Sequence, residues 1–197
     1  GEPEPVSGAI TERIDRTRDE GLASETTISG FDHDDGSTIR IREDTHITGN
    51  VEVSDGSTLR FEDGATVYID GDLDINGPSK AVFDNAGGNI AVLVERELAM
   101  QDSAVIRSEG GDLGDAGETV EENRNRLLVD GPTDIMGEAA ITTDEHTRFE
   151  LYSTDDIDVR NQATIAADED VTGNLWWYSS GNEVDFNGNE GDGIDFA

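Results

Sequence analysis

The sequence has no cysteine, a single lysine and no long apolar run. Without cysteine the chain can form neither a disulfide framework nor a thiolate metal site. Without about 18 consecutive apolar residues, this stretch is expected neither to span a membrane nor to carry its own export signal. We therefore expect contact with a membrane only through a segment absent from this chain.

Positive charge is also scarce, with 13 basic residues against 46 acidic ones and a net charge of −33. A nucleic-acid backbone needs a basic face on its partner, so nucleic acid is not expected to bind. An acidic surface with almost no lysine and an ordered apolar pattern is typical of a protein from an extreme halophile, in which salt screens the repulsion. Salt cations, with weak Ca²⁺ at most, are the only cofactors expected.

Two regions differ in their pattern. Residues 1–25 read as a linker followed by a short amphipathic capping or stalk helix, in which Ile10 and Ile14 lie four residues apart. Residues 26–197 alternate apolar and polar side chains with a period of two, which predicts β-strands. Residues 108–125 are acidic, glycine-rich and without period, which predicts a loop.

The strand-like segments repeat along the chain. "GSTIRI" at 36–41 returns as "GSTLRF" at 56–61, and Ile47 is matched with Val67 at the same spacing. A later marker position recurs at intervals of 25, 35, 24 and 27 residues, at Ile75, Met100, Ile135, Val159 and Phe186. A second short strand follows most markers, at 81–83, 104–106, 139–141 and 163–165.

Repeats of this length built from short strands indicate a solenoid. The sequence therefore predicts an all-β protein, a parallel β-helix of about six or seven coils. The alternative is a β-sandwich, which also alternates but does not explain why one sub-pattern returns in a fixed order.

One outward position, between the inward residues of each repeat, is mostly acidic. Its members are Asp74, Ala99, Asp134, Asp158 and Asp185. In a parallel stack they would lie above one another without a basic partner nearby in sequence, and would need screening or bound cations. We expect them to serve solubility and coil spacing.

Half of a calcium-binding loop occurs twice, in Asp72, Asp74 and Asn76 and again around Asp185 and Asn187. A complete EF-hand loop needs a carboxylate at its twelfth position, where this chain has Phe83 and Ile194. The pattern is better explained as the step from strand to turn in each repeat. These residues are at most weak cation ligands.

No catalytic residue is assigned. The best stacked carboxylates are Asp134, Asp158 and Asp185, and Arg148 and Arg160 could accompany them on a sugar acid, but acids are so frequent that pairs arise by chance. The three histidines, at positions 33, 46 and 146, make no zinc motif. We expect a protein that is not an enzyme.

The densest aromatic cluster is Trp176, Trp177 and Tyr178. Alternation turns Trp177 one way and its neighbours the other, so one side should face the core. The other side would close the last coil, dock a neighbouring subunit or stack on a sugar. These three residues are the candidate contact residues.

Residues 45–195 resemble a family of haloarchaeal cell-surface proteins with a pilin-type N-terminus and a β-helical, polymer-forming C-terminal domain. The shared features are the alternating strand "VYIDGDLDING" and an aromatic segment carried by Tyr178, Ser179, Gly181, Val184, Asp185, Phe186, Gly188 and Asn189. The chain is more loosely similar to bactofilins, whose β-helices polymerise end to end.

The resemblance implies a structural or adhesive β-solenoid at the cell surface, anchored to the membrane in the full-length protein. Its partners would be further copies or other surface and filament subunits. Alternatives are a cytoplasmic bactofilin-like scaffold and, less favoured, a β-helix that binds or cleaves carbohydrate.

Overall fold

The computed structural model describes residues 26–110, 123–144, 146–167, 175–179 and 184–188. Over these residues the chain is all-β, and its strand pairs are parallel, which confirms the β-solenoid and excludes the antiparallel sandwich. The predicted helix near Ile10 and Ile14 lies outside the described residues. Within them, no helix is long and apolar enough to cross a membrane.

Each coil passes over three faces. The first face is built from β1 (Thr26–His33), β3 (Thr45–Val53), β5 (Thr66–Asp70), β8 (Ala91–Val94), β11 (Arg124–Val129), β14 (Arg148–Ser153) and β17 (Leu175–Ser179). The second face continues β1 and β3 and adds β6 (Leu73–Asn76), β9 (Leu98–Gln101), β12 (Thr133–Ile135), β15 (Ile157–Asn161) and β18 (Val184–Gly188). The third face holds β2 (Thr38–Ile41), β4 (Thr58–Phe61), β7 (Lys80–Asp84), β10 (Val105–Glu109), β13 (Ala140–Thr143) and β16 (Thr164–Ala167).

The third face is a six-stranded stack, so five complete turns separate β2 from β16. Incomplete turns, with β1 before β2 and β17 and β18 after β16, add to these five turns, against the six or seven coils predicted. The corner between the first two faces is tight. A Cβ on Gly71 would lie 2.5 Å from the carbonyl carbon and oxygen of Gly49, so successive coils can approach this closely only without a side chain.

The interior is a continuous apolar column, as predicted. The marker residues align one above another in the order Ile75, Met100, Ile135, Val159 and Phe186. The first four are completely buried. Inside the column, the ring of Phe83 lies between two other phenylalanine rings. Its centroid is 5.0 Å from that of Phe61 on the third face and 5.3 Å from that of Phe149 on the first face.

Two predicted alignments are wrong by two residues. Val67 pairs with Thr45 instead of Ile47, because the turn after Phe61 is two residues longer than the turn after Ile41. The segment 81–83 is also displaced, since Ala81 itself pairs with Ile106. Alternation alone cannot detect such shifts, because a slip of two residues keeps every side chain on its own face.

The turns use the residues expected of them. Asp55, Asp102 and Asn161 adopt positive φ, a conformation that aspartate and asparagine tolerate better than most residues. A 3₁₀ turn at Asn85–Gly87 connects β7 to β8, and the side chain of Asp84 accepts a hydrogen bond from the backbone of Ala86.

The predicted loop 108–125 is too wide at both ends. Ser108 belongs to β10, and Asn125 is a fully buried residue of β11. Residues 111–122 lie outside the described residues.

Candidate functional site

The second face carries the predicted acid column, and the structure extends it. Parallel pairing aligns Asp32, Glu52, Asp74, Ala99, Asp134, Asp158 and Asp185 in this order. The first two acids were not predicted, because they precede the marker repeats that defined the column. This set, with Ala99 as its interruption, is called the acid column below.

The carboxylates of the acid column affect one another. Burial raises the pKa of Asp74, and the charges of Asp72, Glu52 and Glu97 raise it further. Burial likewise raises the pKa of Glu97, with a contribution from Asp72 and from Asp134 on the next coil. Negative charge is therefore most crowded around Asp74.

The upper part of the acid column does have a basic partner, contrary to the prediction. Arg160 donates from Nη2 to both carboxylate oxygens of Asp134, at 2.7 and 2.6 Å. Its bond to Asp134 raises the pKa of Arg160. Arg160 lies on β15, two residues after Asp158, but its side chain reaches back by one coil to Asp134, which is 26 residues earlier, and a local pattern does not contain such a contact.

The half calcium loops do not gather around a point. Asp72 lies just before β6, while Asp74 and Asn76 lie on it, so the three positions spread over about 13 Å of extended chain. Oxygen ligands of Ca²⁺ lie within about 2.6 Å of the ion. Asn76 instead donates to Glu52 at 3.2 Å. Asp185 and Asn187 occupy matching positions on β18.

No group of three or more histidine, aspartate or glutamate side chains that could hold a metal ion occurs in the described part of the chain. The histidines are on separate elements. The Nε2 atom of His33 lies 2.8 Å from the carbonyl oxygen of Ser37, and the ring of His46 lies 4.8 Å from that of Tyr68. His146 lies in the turn before β14.

The third face carries an ion-pair network that the sequence analysis did not identify. Arg40 and Arg60 are stacked on adjacent coils, and both bind Glu62, as does Arg42. Arg60 also binds Asp84 at 2.7 Å and Glu109 at 3.2 Å. Burial lowers the pKa of Arg60, but its bonds to these two acids raise it overall.

A cleft of about 500 Å³ runs along this network. It is lined by Thr38, Arg40, Thr58, Arg60, Pro78, Lys80, Val82, Val105, Arg107 and Glu109. Because its arginines are already engaged with carboxylates, the cleft offers a ligand few uncommitted charges.

One register position of the first face, which lies between two inward positions, is occupied mostly by large side chains, of which those from Tyr68 to Tyr152 are exposed or partly exposed and His46 is buried. Parallel pairing aligns Thr27, His46, Tyr68, Leu93, Leu128, Tyr152 and Tyr178. The six residues from His46 to Tyr178 are called the tyrosine column below. Leu128 is 37% exposed, and Tyr68, Leu93 and Tyr152 are partly exposed.

Hydrogen bonds hold the two described tyrosine rings in place. The hydroxyl of Tyr68 donates to Glu95 at 2.7 Å, and that of Tyr152 donates to Glu150 at 3.3 Å. Glu150 is only 1% exposed and is also bound by Arg126 at 3.0 Å and Arg148 at 3.2 Å. Arg148 therefore forms its ion pair with Glu150 on the first face and not with the acid column.

The aromatic segment on β17 continues this face. Trp176 pairs in register with Glu150, Trp177 with the buried Leu151, and Tyr178 with Tyr152. Of this column, the sequence pattern indicates only Tyr178 and its neighbours on β17 as a contact surface. The same rule that found the acid column would have found the tyrosine column, because each of its members stands between two inward positions of a first-face strand.

No family model, no curated protein and no solved structure matches this chain. The candidate surfaces therefore rest on the geometry of the three faces.

Proposed function

We propose that this chain is a structural, non-enzymatic β-solenoid of an extreme halophile, working at the cell surface or in a surface filament. The observation that carries the proposal is the acid column, which runs along the second face from β1 to β18. Together with a net charge of −33, it makes a rod suited to concentrated salt.

The dependence on salt follows from comparing the spacing of the coils with the Debye length. Successive coils are about 4.8 Å apart. The Debye length is about 8 Å at 0.15 M salt, which is longer than this spacing, and about 3 Å at 1 M, which is shorter. Neighbouring acids of the column therefore repel one another in dilute buffer and are largely screened in molar salt.

The three faces support a role in contacts. Each bears its own outer column, acidic, ion-paired or apolar, and each column keeps its position from coil to coil. A rigid rod with such faces can present the same surface to a series of identical subunits, as a surface or filament component must.

A bactofilin-like scaffold is the second candidate. Among the described strands, β2 and β16 stand at the two ends of the third-face stack. Strands at the end of a stack can pair with those of another copy, which would give end-to-end polymers.

The salt requirement is tested by circular dichroism and thermal melting between about 10 mM and 4 M KCl. We expect strand signal and melting temperature to fall steeply as salt is removed. Sucrose at matched osmolality is the control, because it stabilises compact states without screening charge. An unchanged spectrum and melting point at 10 mM KCl would contradict the proposal.

Location and assembly are tested separately. We expect fractionation of the producing cells to recover the protein with the envelope. Recovery in the cytosol, together with end-to-end filaments of the purified chain in electron micrographs, would favour the scaffold instead.

A further inference from the structure

We propose that the first face is a binding platform for a single extended chain of neutral polysaccharide, which stacks on the tyrosine column at Tyr68, Leu93, Leu128 and Tyr152. This inference goes beyond the structural function proposed above and does not depend on where the protein is located or on its need for salt.

The composition of the column is the first reason. The chain contains three tyrosines, and parallel pairing places all three, Tyr68, Tyr152 and Tyr178, at this one register position of the first face. Leucines fill the two coils between Tyr68 and Tyr152. All the tyrosines of this acidic chain therefore share one register position along the first face.

The rings are held before any ligand arrives. The bonds from Tyr68 to Glu95 and from Tyr152 to Glu150 draw each hydroxyl sideways toward a neighbouring column, so the rings lie across the face. Glu150 is itself fixed between two arginines. Fixed side chains lose little conformational entropy when they bind, which favours binding to an extended polymer.

The apolar stripe formed by the tyrosine column is too narrow for a protein partner but wide enough for a single polymer chain. Its flanking positions, two residues to either side, are mostly polar and lie about 13 Å apart. From Tyr68 to Tyr152, over four coils, the stripe is about 14 Å long and 7 Å wide. A stable protein interface needs roughly 800 Å² on each partner, several times this area.

The stripe does match a glycan. One hexose unit of an extended polysaccharide advances by about the height of one coil, so successive sugars can meet successive members of the column. The C–H groups on a sugar face carry partial positive charge, and the face of a tyrosine ring is negative.

The flanking residues decide the charge of the ligand. Asp70, Glu95 and Asp130 follow the column on one side, and Arg126 and Glu150 precede it on the other. Sugar hydroxyls can donate to Asp70, Glu95 and Asp130, which are exposed or partly exposed, and accept from Arg126 in charge-assisted hydrogen bonds; Glu150 is buried and only positions Arg126. An acidic polymer would be repelled, and a second copy of this face would oppose carboxylates to carboxylates.

The experiment is affinity electrophoresis and calorimetry in molar KCl, with hydroxyethyl cellulose, a soluble β-1,3-glucan and a mannan as probes. Alginate and oligolysine are the acidic and cationic comparisons. We expect at least one neutral polysaccharide to bind and alginate to bind more weakly, because molar salt reduces but does not abolish repulsion between charges in contact. Preference for oligolysine over every neutral glycan would overturn the proposal, as would no binding of any neutral probe.

Variants locate the binding. Tyr68→Ala with Tyr152→Ala should weaken binding about tenfold or more, whereas the two changes to phenylalanine keep the rings and should have a smaller effect. Leu128→Asp alters an exposed side chain and should reduce binding even if the double alanine variant does not fold. Val105→Ala on the third face is the matched control and should bind as the parent does. Equal binding by Leu128→Asp and the parent would overturn the proposal.

Discussion

At the scale of single residues, Asn125 shows how polar groups are accommodated inside the solenoid. It is fully buried, and its Nδ2 donates to the carbonyl of Phe83 at 3.0 Å and to Ser108 at 2.9 Å. Its Oδ1 accepts from Asn85 at 3.0 Å and from the backbone of Ile90 at 3.2 Å. All the bonding capacity of the amide is used, so this side chain joins neighbouring coils at their corner.

Replacing Asn125 with leucine, which is similar in size, should strongly destabilise the fold. The backbone N–H of Ile90 and the carbonyl of Phe83 would each lose the hydrogen bond that Asn125 makes to them, and Asn85 would keep only its bond to Asn89, at about 1–3 kcal/mol for each buried group left unsatisfied. We expect a loss of about 3 kcal/mol or more, measured by denaturant unfolding in molar KCl. Gln101→Leu, at an exposed position, is the control and should change stability by less than about 0.5 kcal/mol. Equal stability of the two variants would contradict this role.

The sequence could not reveal the role of Asn125. Asparagine next to a glycine-rich acidic stretch indicates a turn, and the sequence analysis placed it in the loop 108–125. Its burial is decided by partners 35 to 42 residues away, which no local pattern contains. The contact candidate Tyr178, by contrast, was identified locally, since its aromatic neighbours are dense in sequence.

At the scale of strands and columns, Asp74 and Asp134 occupy equivalent positions with opposite surroundings. Asp74 is surrounded by acids and has a raised pKa, whereas Asp134 is bound by Arg160. The folded state therefore holds the proton of Asp74 more tightly than the unfolded chain does. Stability carries a penalty above the folded pKa of Asp74, and the penalty disappears as pH falls through that pKa.

Asp74→Asn should accordingly stabilise the protein at pH 7 in dilute salt. Relief of like-charge repulsion is worth up to about 1 kcal/mol, or up to about 4 °C in melting temperature. The gain should shrink in molar salt and vanish once pH falls well below the ordinary aspartate pKa of about 3.9, where Asp74 is protonated in both states. The measurement is thermal melting over a grid of pH and KCl concentration.

Asp134→Asn is the matched control, with the same chemical change in the same column. It removes the partner of Arg160 and should not stabilise the protein at any salt concentration. A similar gain from both substitutions would show that only total charge matters, and not the local arrangement.

The columns were largely predictable, and the reason is physical. Inward residues must be apolar in every coil, so Ile75, Ile135 and Val159 mark the register directly. Outward residues are under no such constraint, which is why the tyrosine column was found at one coil only. Where the turn after Phe61 lengthened, the alignment of Ile47 with Val67 failed, because alternation does not report how many residues a corner holds.

At the scale of the whole molecule, coil length varies while register is kept. Between β10 and β11 the chain needs 35 residues for one coil, compared with 25 for the coil before it. Even so, β11 pairs in register with both β8 and β14. The strands are therefore positioned by their own ladders and not by the segment that connects them.

Replacing residues 111–122 with two glycines would give this coil a turn of the same length as the one between β7 and β8. We expect the variant to keep its strand content and to gain at most about 1 kcal/mol from the shorter loop. Circular dichroism and denaturant unfolding in molar KCl measure both quantities. Loss of the cooperative transition would mean that residues 111–122 are needed for the fold itself.

Because coils of unequal length keep one register, the number of coils can change without a change in the sequence of the others. Duplicating one coil would add one residue to each of the three outer columns at once and leave the existing residues in register. If each coil binds one unit of a polymer, avidity would increase with the number of coils, so affinity for the polymer could be set by gene duplication alone.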